Sequence, residues 1–148
     1  MANEAYLSIQ GLCKGYGQGE SRQTVLRDVT CDIEKGQVCV LLGPSGSGKS
    51  TFLNLVGGLE PAGAGSIRVG TTQLEGLNQK GLTEYRRREL GFVFQFYNLV
   101  ADLTVRENIE VTEHLSSNPL PIDDLLHSLG LWEQRDKFPN QISGGQQQ

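Results

Sequence analysis

Apolar residues recur along this chain in two rhythms. Over residues 25–33 they alternate. Val25, Val29, Cys31 and Ile33 fall on one face, and Asp28, Thr30 and Asp32 on the other. That is the period of a half-exposed strand in an antiparallel pair. Residues 5–12 form another short strand pattern, and residues 66–69 a third. Val38, Cys39, Val40, Leu41 and Leu42 are apolar without interruption, as a central parallel strand covered on both faces must be. Gly91, Phe92, Val93, Phe94 and Gln95 read as a strand that ends on a polar residue. Helical spacing covers residues 51–59, with Gly57 and Gly58 near its end and Pro61 as a stop. It returns over 83–90. A further helix runs over 104–115, where Thr104 caps and Glu107 completes a capping box. The next covers 122–129 and is closed by Gly130. Ser143 opens a last helix as its N-cap. The polar stretches 71–81 and 116–121 connect these elements. Arg86, Arg87 and Arg88 stand beside Glu84 and Glu89 and read as a solvated helix face. Asp123 and Asp124 begin a helix and read as a capping pair.

Composition narrows the class. The chain has 148 residues, 37% hydrophobic and 20% charged, which suits one globular domain. The net charge of −4 gives no broad electrostatic case for nucleic acid. No apolar run approaches the ~20 residues of a membrane span. The N-terminus lacks a basic region followed by an apolar core, so no secretory signal is visible. Cys13, Cys31 and Cys39 have no metal-ligand spacing. Cys31 and Cys39 lie in apolar strand patterns and read as buried thiols, which suits a reducing cytosol.

One segment carries specific chemistry. Gly43, Pro44, Ser45, Gly46, Ser47, Gly48, Lys49, Ser50 and Thr51 lie between an apolar strand pattern and a helix pattern. Strand, glycine-rich turn and helix in that order are the setting of a phosphate-binding loop. Backbone N–H groups must approach a phosphate closely, and glycines remove the side chains that would obstruct them. The helix N-terminus adds partial positive charge. Lys49 brings a full charge for the β- and γ-phosphates, and Ser50 a hydroxyl for Mg2+.

Three weaker features follow the same order along the chain. Tyr16 precedes the loop and offers a ring that can stack on a base. Gln95 ends a strand pattern, where an amide can ligate Mg2+ or hold a water. Ile142, Ser143, Gly144, Gly145 and Gln146 form a helix start with two glycines, a costly choice in a first helical turn unless close approach requires it.

Taken together, these residues resemble the nucleotide-binding domain of ABC transporters. Tyr16 resembles the adenine-stacking aromatic, residues 43–51 the Walker A motif, Gln95 the Q-loop glutamine and 142–146 the signature motif, with Ile for the usual Leu. The segment 85–99 is similar to the macrolide-exporter and lipoprotein-release branch. The resemblance implies an α/β fold: a P-loop NTPase core with an antiparallel β subdomain and part of a helical subdomain. It implies a core over residues 1–82, a Q-loop strand region over 83–95 and a partial helical subdomain over 96–148. ATP and Mg2+ are the implied cofactors, with Ser50 and Gln95 on the metal. Ser143, Gly144, Gly145 and Gln146 would meet ATP held by a second copy, paired head to tail. The implied partner is a membrane permease, docked near Phe96, Tyr97 and Leu99 at the cytoplasmic face of the membrane. No nucleic-acid partner is expected.

The family's Walker B aspartate and glutamate, D-loop and switch histidine normally follow the signature helix. No residue here matches them. His114 and His127 precede the signature motif and do not match by position. The expectation is an N-terminal portion of the domain, truncated before the Walker B strand, that binds ATP without hydrolysing it and leaves strand edges exposed. The alternatives are a soluble ABC-type ATPase without a permease, as in DNA repair or ribosome-associated proteins, and a non-hydrolysing nucleotide-binding module.

Overall fold

The computed structural model describes residues 5–113, 115–116 and 118–148. His114 lies outside the described residues. The chain divides into two compact units, residues 1–90 and 91–148.

The first unit is built on a four-stranded antiparallel sheet in the order β2-β1-β3-β4. Its strands are β1 (Ala5–Tyr16), β2 (Gln23–Glu34), β3 (Ala64–Val69) and β4 (Thr72–Gln73). The alternation expected for β2 is present: Val25, Val29, Cys31 and Ile33 are half-buried, whereas Asp28, Thr30 and Asp32 are exposed. Strand β1 runs past Leu12 to Tyr16 because register shifts near Gly11 and Lys14 bend it without ending the ladder, which is what β-bulges do.

Two helices cover the sheet: α1 (Lys49–Val56) and α2 (Gln79–Glu89). Ile9, Leu12, Leu26, Ile67, Val69 and Leu74 from the sheet layer meet Leu55 of α1 and Tyr85 of α2 in one buried cluster. Each such side chain contributes roughly 1.5–3 kcal/mol by leaving water. Helix α2 begins four residues before the periodicity suggested. Asn78 caps it by accepting from the Gly81 backbone N–H at 2.9 Å, and Gly81 in the first turn masked the start. The α2 side chains also satisfy the end of α1. The Tyr85 hydroxyl donates to the Val56 carbonyl at 2.7 Å and Arg86 to the Gly58 carbonyl at 2.7 Å. Arg86 is therefore not part of a solvated face. Arg87 and Arg88 are: both pair with Glu84.

Burial, then the nearby Glu89 and Tyr6, pushes the Tyr85 phenol from its ordinary value of 10 up to about 12. The folded state thus holds Tyr85 neutral where the unfolded chain ionises it. Tyr85 leaves stability unchanged below about pH 10. It should fall by about 1.4 kcal/mol per pH unit until the folded phenol titrates near pH 12. Urea unfolding at pH 9 and pH 11 measures this loss, and Tyr85→Phe should remove most of it.

The second unit contains α3 (Val105–Glu113), α4 (Ile122–Ser128) and α5 (Gly144–Gln147). The capping box of α3 is formed: the Thr104 backbone N–H donates to Glu107 at 2.7 Å and the Glu107 N–H to Thr104 Oγ1 at 3.3 Å. That backbone bond holds the Glu107 carboxyl below the usual range. The first N–H groups of α3 are met by the carbonyls of Lys137 and Arg135 at 2.8 and 3.0 Å. Asp123 and Asp124 lie in the first turn of α4, but neither side chain caps it; Asp123 pairs with Arg106 at 2.6 Å. His127, Trp132 and Arg135 form a stack, with ring centroids 4.2 Å apart and the guanidinium 4.3 Å from the indole.

Two expected strands do not form. Residues 38–42 and 91–95 belong to no ladder. Val38, Val40 and Leu42 are 94%, 71% and 85% exposed. A strand exists only where its N–H and C=O groups find a neighbour, and among the described residues none pairs with either segment. For the same reason Cys39 is exposed rather than buried. Cys31 is half-buried, and burial raises its thiol pKa.

Candidate nucleotide-binding site

The loop ahead of α1 forms an open cavity of 590 Å³ lined by Val25 and residues 45–51 except Ser47. Its curvature depends on Gly48, the residue before the helix, at φ +90°. A Cβ there would also lie 2.9 Å from Leu26 Cδ2 and 3.0 Å from Val25 Cγ1. Strand β2 therefore lies close against the loop, and the left-handed backbone is what favours glycine at this position. Lys49 opens α1 and folds its ammonium back over the loop. Nζ donates to the Gly43 carbonyl at 2.8 Å, the Pro44 carbonyl at 2.7 Å and Ser47 Oγ at 3.3 Å. Ser50 and Thr51 follow in the first turn. The loop so gathers a lysine cation, a serine hydroxyl and a helix N-terminus around one cavity, and this combination suits a polyphosphate.

Tyr16 ends β1 opposite Gln23 and is 43% exposed. Its hydroxyl donates to Glu60 at 2.6 Å and also meets the Thr51 side chain. The aromatic is thereby brought beside the helix that starts the phosphate loop. The Glu60 bond, ahead of other causes, raises the phenol pKa and lowers that of the carboxyl. Glu60 has no signal in the sequence, because its partner lies 44 residues away. Val25 likewise joins the site only through the fold.

The other expected residues lie in the second unit. Gln95 is exposed, at a bend that ends the unpaired segment 91–95. Ser143 caps α5, and its box closes on Gln146. The Ser143 N–H donates to Gln146 Oε1 at 3.0 Å, and the Gln146 N–H to Ser143 Oγ at 3.4 Å. Ser143, Gly144 and Gly145 are exposed. A Cβ on Gly144 would come 3.2 Å from the Tyr97 hydroxyl. Leu99 is half-buried and lines an apolar cavity of this unit, whereas Phe96 is 78% exposed. No helix of the described residues is long and apolar enough to cross a membrane.

A glycine-rich loop of this form at the start of a helix suits a phosphate, and solved ATP-binding cassettes match the chain closely. The dimeric structure of a post-hydrolysis state of an ATP-binding cassette bound to ADP and Pi superposes with a TM-score of 0.83 at 33% identity, over 95% of this chain and 65% of that one. Residues 26–148 match the ABC transporter family, and the chain belongs to that family. It is 38% identical to the bacitracin export ATP-binding protein of Halalkalibacterium halodurans, over 97% of this chain and 59% of that protein. It is 39% identical to a macrolide export ATP-binding/permease protein of Bradyrhizobium diazoefficiens, over 98% of this chain and 23% of that protein. Such relatives agree with the macrolide-exporter resemblance of residues 85–99. The chain spans only part of the length of the curated relatives it matches.

Proposed function

We propose that these residues are the ATP-binding part of a transport ATPase subunit. The observation that carries this reading is the Lys49 ammonium, drawn over the loop by the Gly43 and Pro44 carbonyls at the start of α1. A triphosphate entering the cavity offers that cation far better acceptors than two carbonyls. The backbone of residues 43–48 wraps the phosphates, Lys49 neutralises the β- and γ-groups, and Thr51 joins Tyr16 at the base side. Tyr16 stacks on adenine. By the family resemblance Ser50 would offer Mg2+ a hydroxyl and Gln95 an amide carbonyl, both oxygen donors of the kind this hard cation prefers. When bound, Mg2+ supplies further charge neutralisation at the phosphates.

Ser143, Gly144, Gly145 and Gln146 engage ATP held by a second copy, head to tail. Three of these four are exposed, as contact with another chain requires. A membrane permease is the third component. Phe96, 78% exposed, and Tyr97, 41% exposed, offer it apolar anchors, and this partner holds the assembly at the cytoplasmic face of the membrane.

Hydrolysis needs positioned charge and a group that orients the attacking water. Gln95, the catalytic candidate, can hold a water, but its amide is no base for the water's proton, and no other residue assigned above is one. The full 148-residue chain is therefore expected to bind Mg-ATP at one site per chain while releasing phosphate at the background rate. Equilibrium dialysis reads the first quantity and phosphate release the second. Absence of Mg-ATP binding would sink the nucleotide reading. Steady turnover that Lys49→Ala abolishes would sink the non-hydrolytic part alone.

A further inference from the structure

A set of polar contacts holds the corner between β1 and the segment after α1, and three of them meet on one carboxylate. Glu60 Oε1 accepts from Asn54 Nδ2, on α1, at 2.9 Å. Glu60 Oε2 accepts from the Tyr16 hydroxyl at 2.6 Å and lies 3.4 Å from Lys14 Nζ. Lys14 in turn donates to the Pro61 carbonyl at 2.7 Å, and the Gly63 N–H to the Cys13 carbonyl at 2.9 Å. The Lys14 side chain is only 11% exposed. Its ammonium stands over the Tyr16 ring, 5.1 Å from the centroid. One face of the ring is so taken by a cation, and the hydroxyl is anchored at its edge. The residue is 43% exposed, which leaves part of the ring open to a base.

We propose that Glu60 is a positioning residue: by holding the Tyr16 hydroxyl it fixes the ring in the orientation in which an adenine stacks, and so sets how much of the ATP affinity depends on the base. This rests on the reading of Tyr16 as the base-stacking aromatic. The physical reason is entropic. An exposed tyrosine at a strand end rotates freely, and ordering it on binding costs part of what stacking contributes. A ring already tied to a carboxylate, which α1 in turn holds through Asn54, has lost that freedom before the nucleotide arrives. The same helix begins with Lys49 and Ser50, so one rigid element registers the base platform against the phosphate loop.

The alternative is a corner that merely stabilises the fold, and the two readings separate by probe. Mg-ATP and Mg-tripolyphosphate share the phosphate contacts, but only ATP carries a base. Binding of both is measured to the full chain, with melting temperatures, for Tyr16→Ala, Tyr16→Phe, Glu60→Ala and Glu60→Gln. Stacking on one aromatic is worth about 1–3 kcal/mol, so Tyr16→Ala should weaken ATP at least about fivefold and leave tripolyphosphate unchanged. Glu60→Ala and Tyr16→Phe should each weaken ATP about three- to tenfold, again without touching tripolyphosphate. Glu60→Gln retains an acceptor and should stay within about twofold of the parent. If Glu60→Ala lowers the melting temperature but leaves the ratio of the two affinities unchanged, the corner is structural and the proposal falls. If Tyr16→Ala shifts the ratio while Glu60→Ala and Tyr16→Phe do not, only the role of Glu60 is overturned. If Tyr16→Ala leaves the ratio unchanged, the base-stacking reading fails and the role of Glu60 fails with it.

Discussion

Replacing Lys49 with alanine is expected to weaken Mg-ATP binding by roughly 10- to 150-fold. The range follows from the 1.5–3 kcal/mol that a hydrogen bond to a charged group contributes net of water, with each ~1.4 kcal/mol a factor of ten. Among the described residues the lysine has no ion-pair partner to give up on binding. Its three hydrogen bonds go to the Gly43 and Pro44 carbonyls and the Ser47 hydroxyl, all on exposed residues that water can satisfy after the substitution. The variant should therefore unfold at nearly the same urea concentration as the parent. Lys49→Arg should not restore binding, because a planar fork cannot reproduce a point charge seated 2.7–2.8 Å from two carbonyls. Titration with Mg-ATP beside a urea melt measures both quantities. Unchanged affinity in a folded Lys49→Ala variant would mean that phosphate is not read at this loop.

The largest effect on stability is expected at Gly65, a position with no part in nucleotide binding. Its φ is +88°, and a Cβ added there would collide with the Gly11 carbonyl oxygen and lie 2.6 Å from the Gln10 carbonyl oxygen. Those atoms are backbone of the neighbouring strand, at the register shift between Gln10 and Cys13. No side-chain rotation relieves the contact, so the strands must separate. The left-handed backbone costs an alanine about 1 kcal/mol and forced repacking another 1–3 kcal/mol. Gly65→Ala should thus destabilise the first unit by about 2–4 kcal/mol in urea unfolding. Gly76→Ala is the control: its φ is +90° with nothing within 4 Å, so only the backbone cost of about 1 kcal/mol applies. Equal losses at both positions would show that the β1–β3 approach is not as close as described.

Local chemistry made much of the site readable from the chain. The run 43–51 needed no partner to be recognised, because the glycines, lysine and serine that bind a phosphate are consecutive. The same holds for Thr104 with Glu107 and for Ser143, whose partners lie three residues away. The alternation in β2 was equally legible, since one face of that strand meets the core and the other meets water.

What escaped the sequence depends on residues far apart in it. Residues 38–42 and 91–95 have the composition of central strands, yet a strand is a property of two chains side by side, and within the described residues neither has its neighbour. Arg86 looked like its neighbours Arg87 and Arg88 until α2 lay across the end of α1 and turned it to the Gly58 carbonyl. The first turn of α2 was hidden by a glycine whose backbone N–H the Asn78 side chain satisfies. By itself the sequence determined the family, the phosphate loop and the local caps, because each is written in neighbouring residues. Only the tertiary structure decided which strands have partners, that Val25 forms the wall of the loop, and that Glu60 reaches Tyr16 across 44 residues; long-range approach is set by how the sheet and helices pack, and no local pattern encodes it.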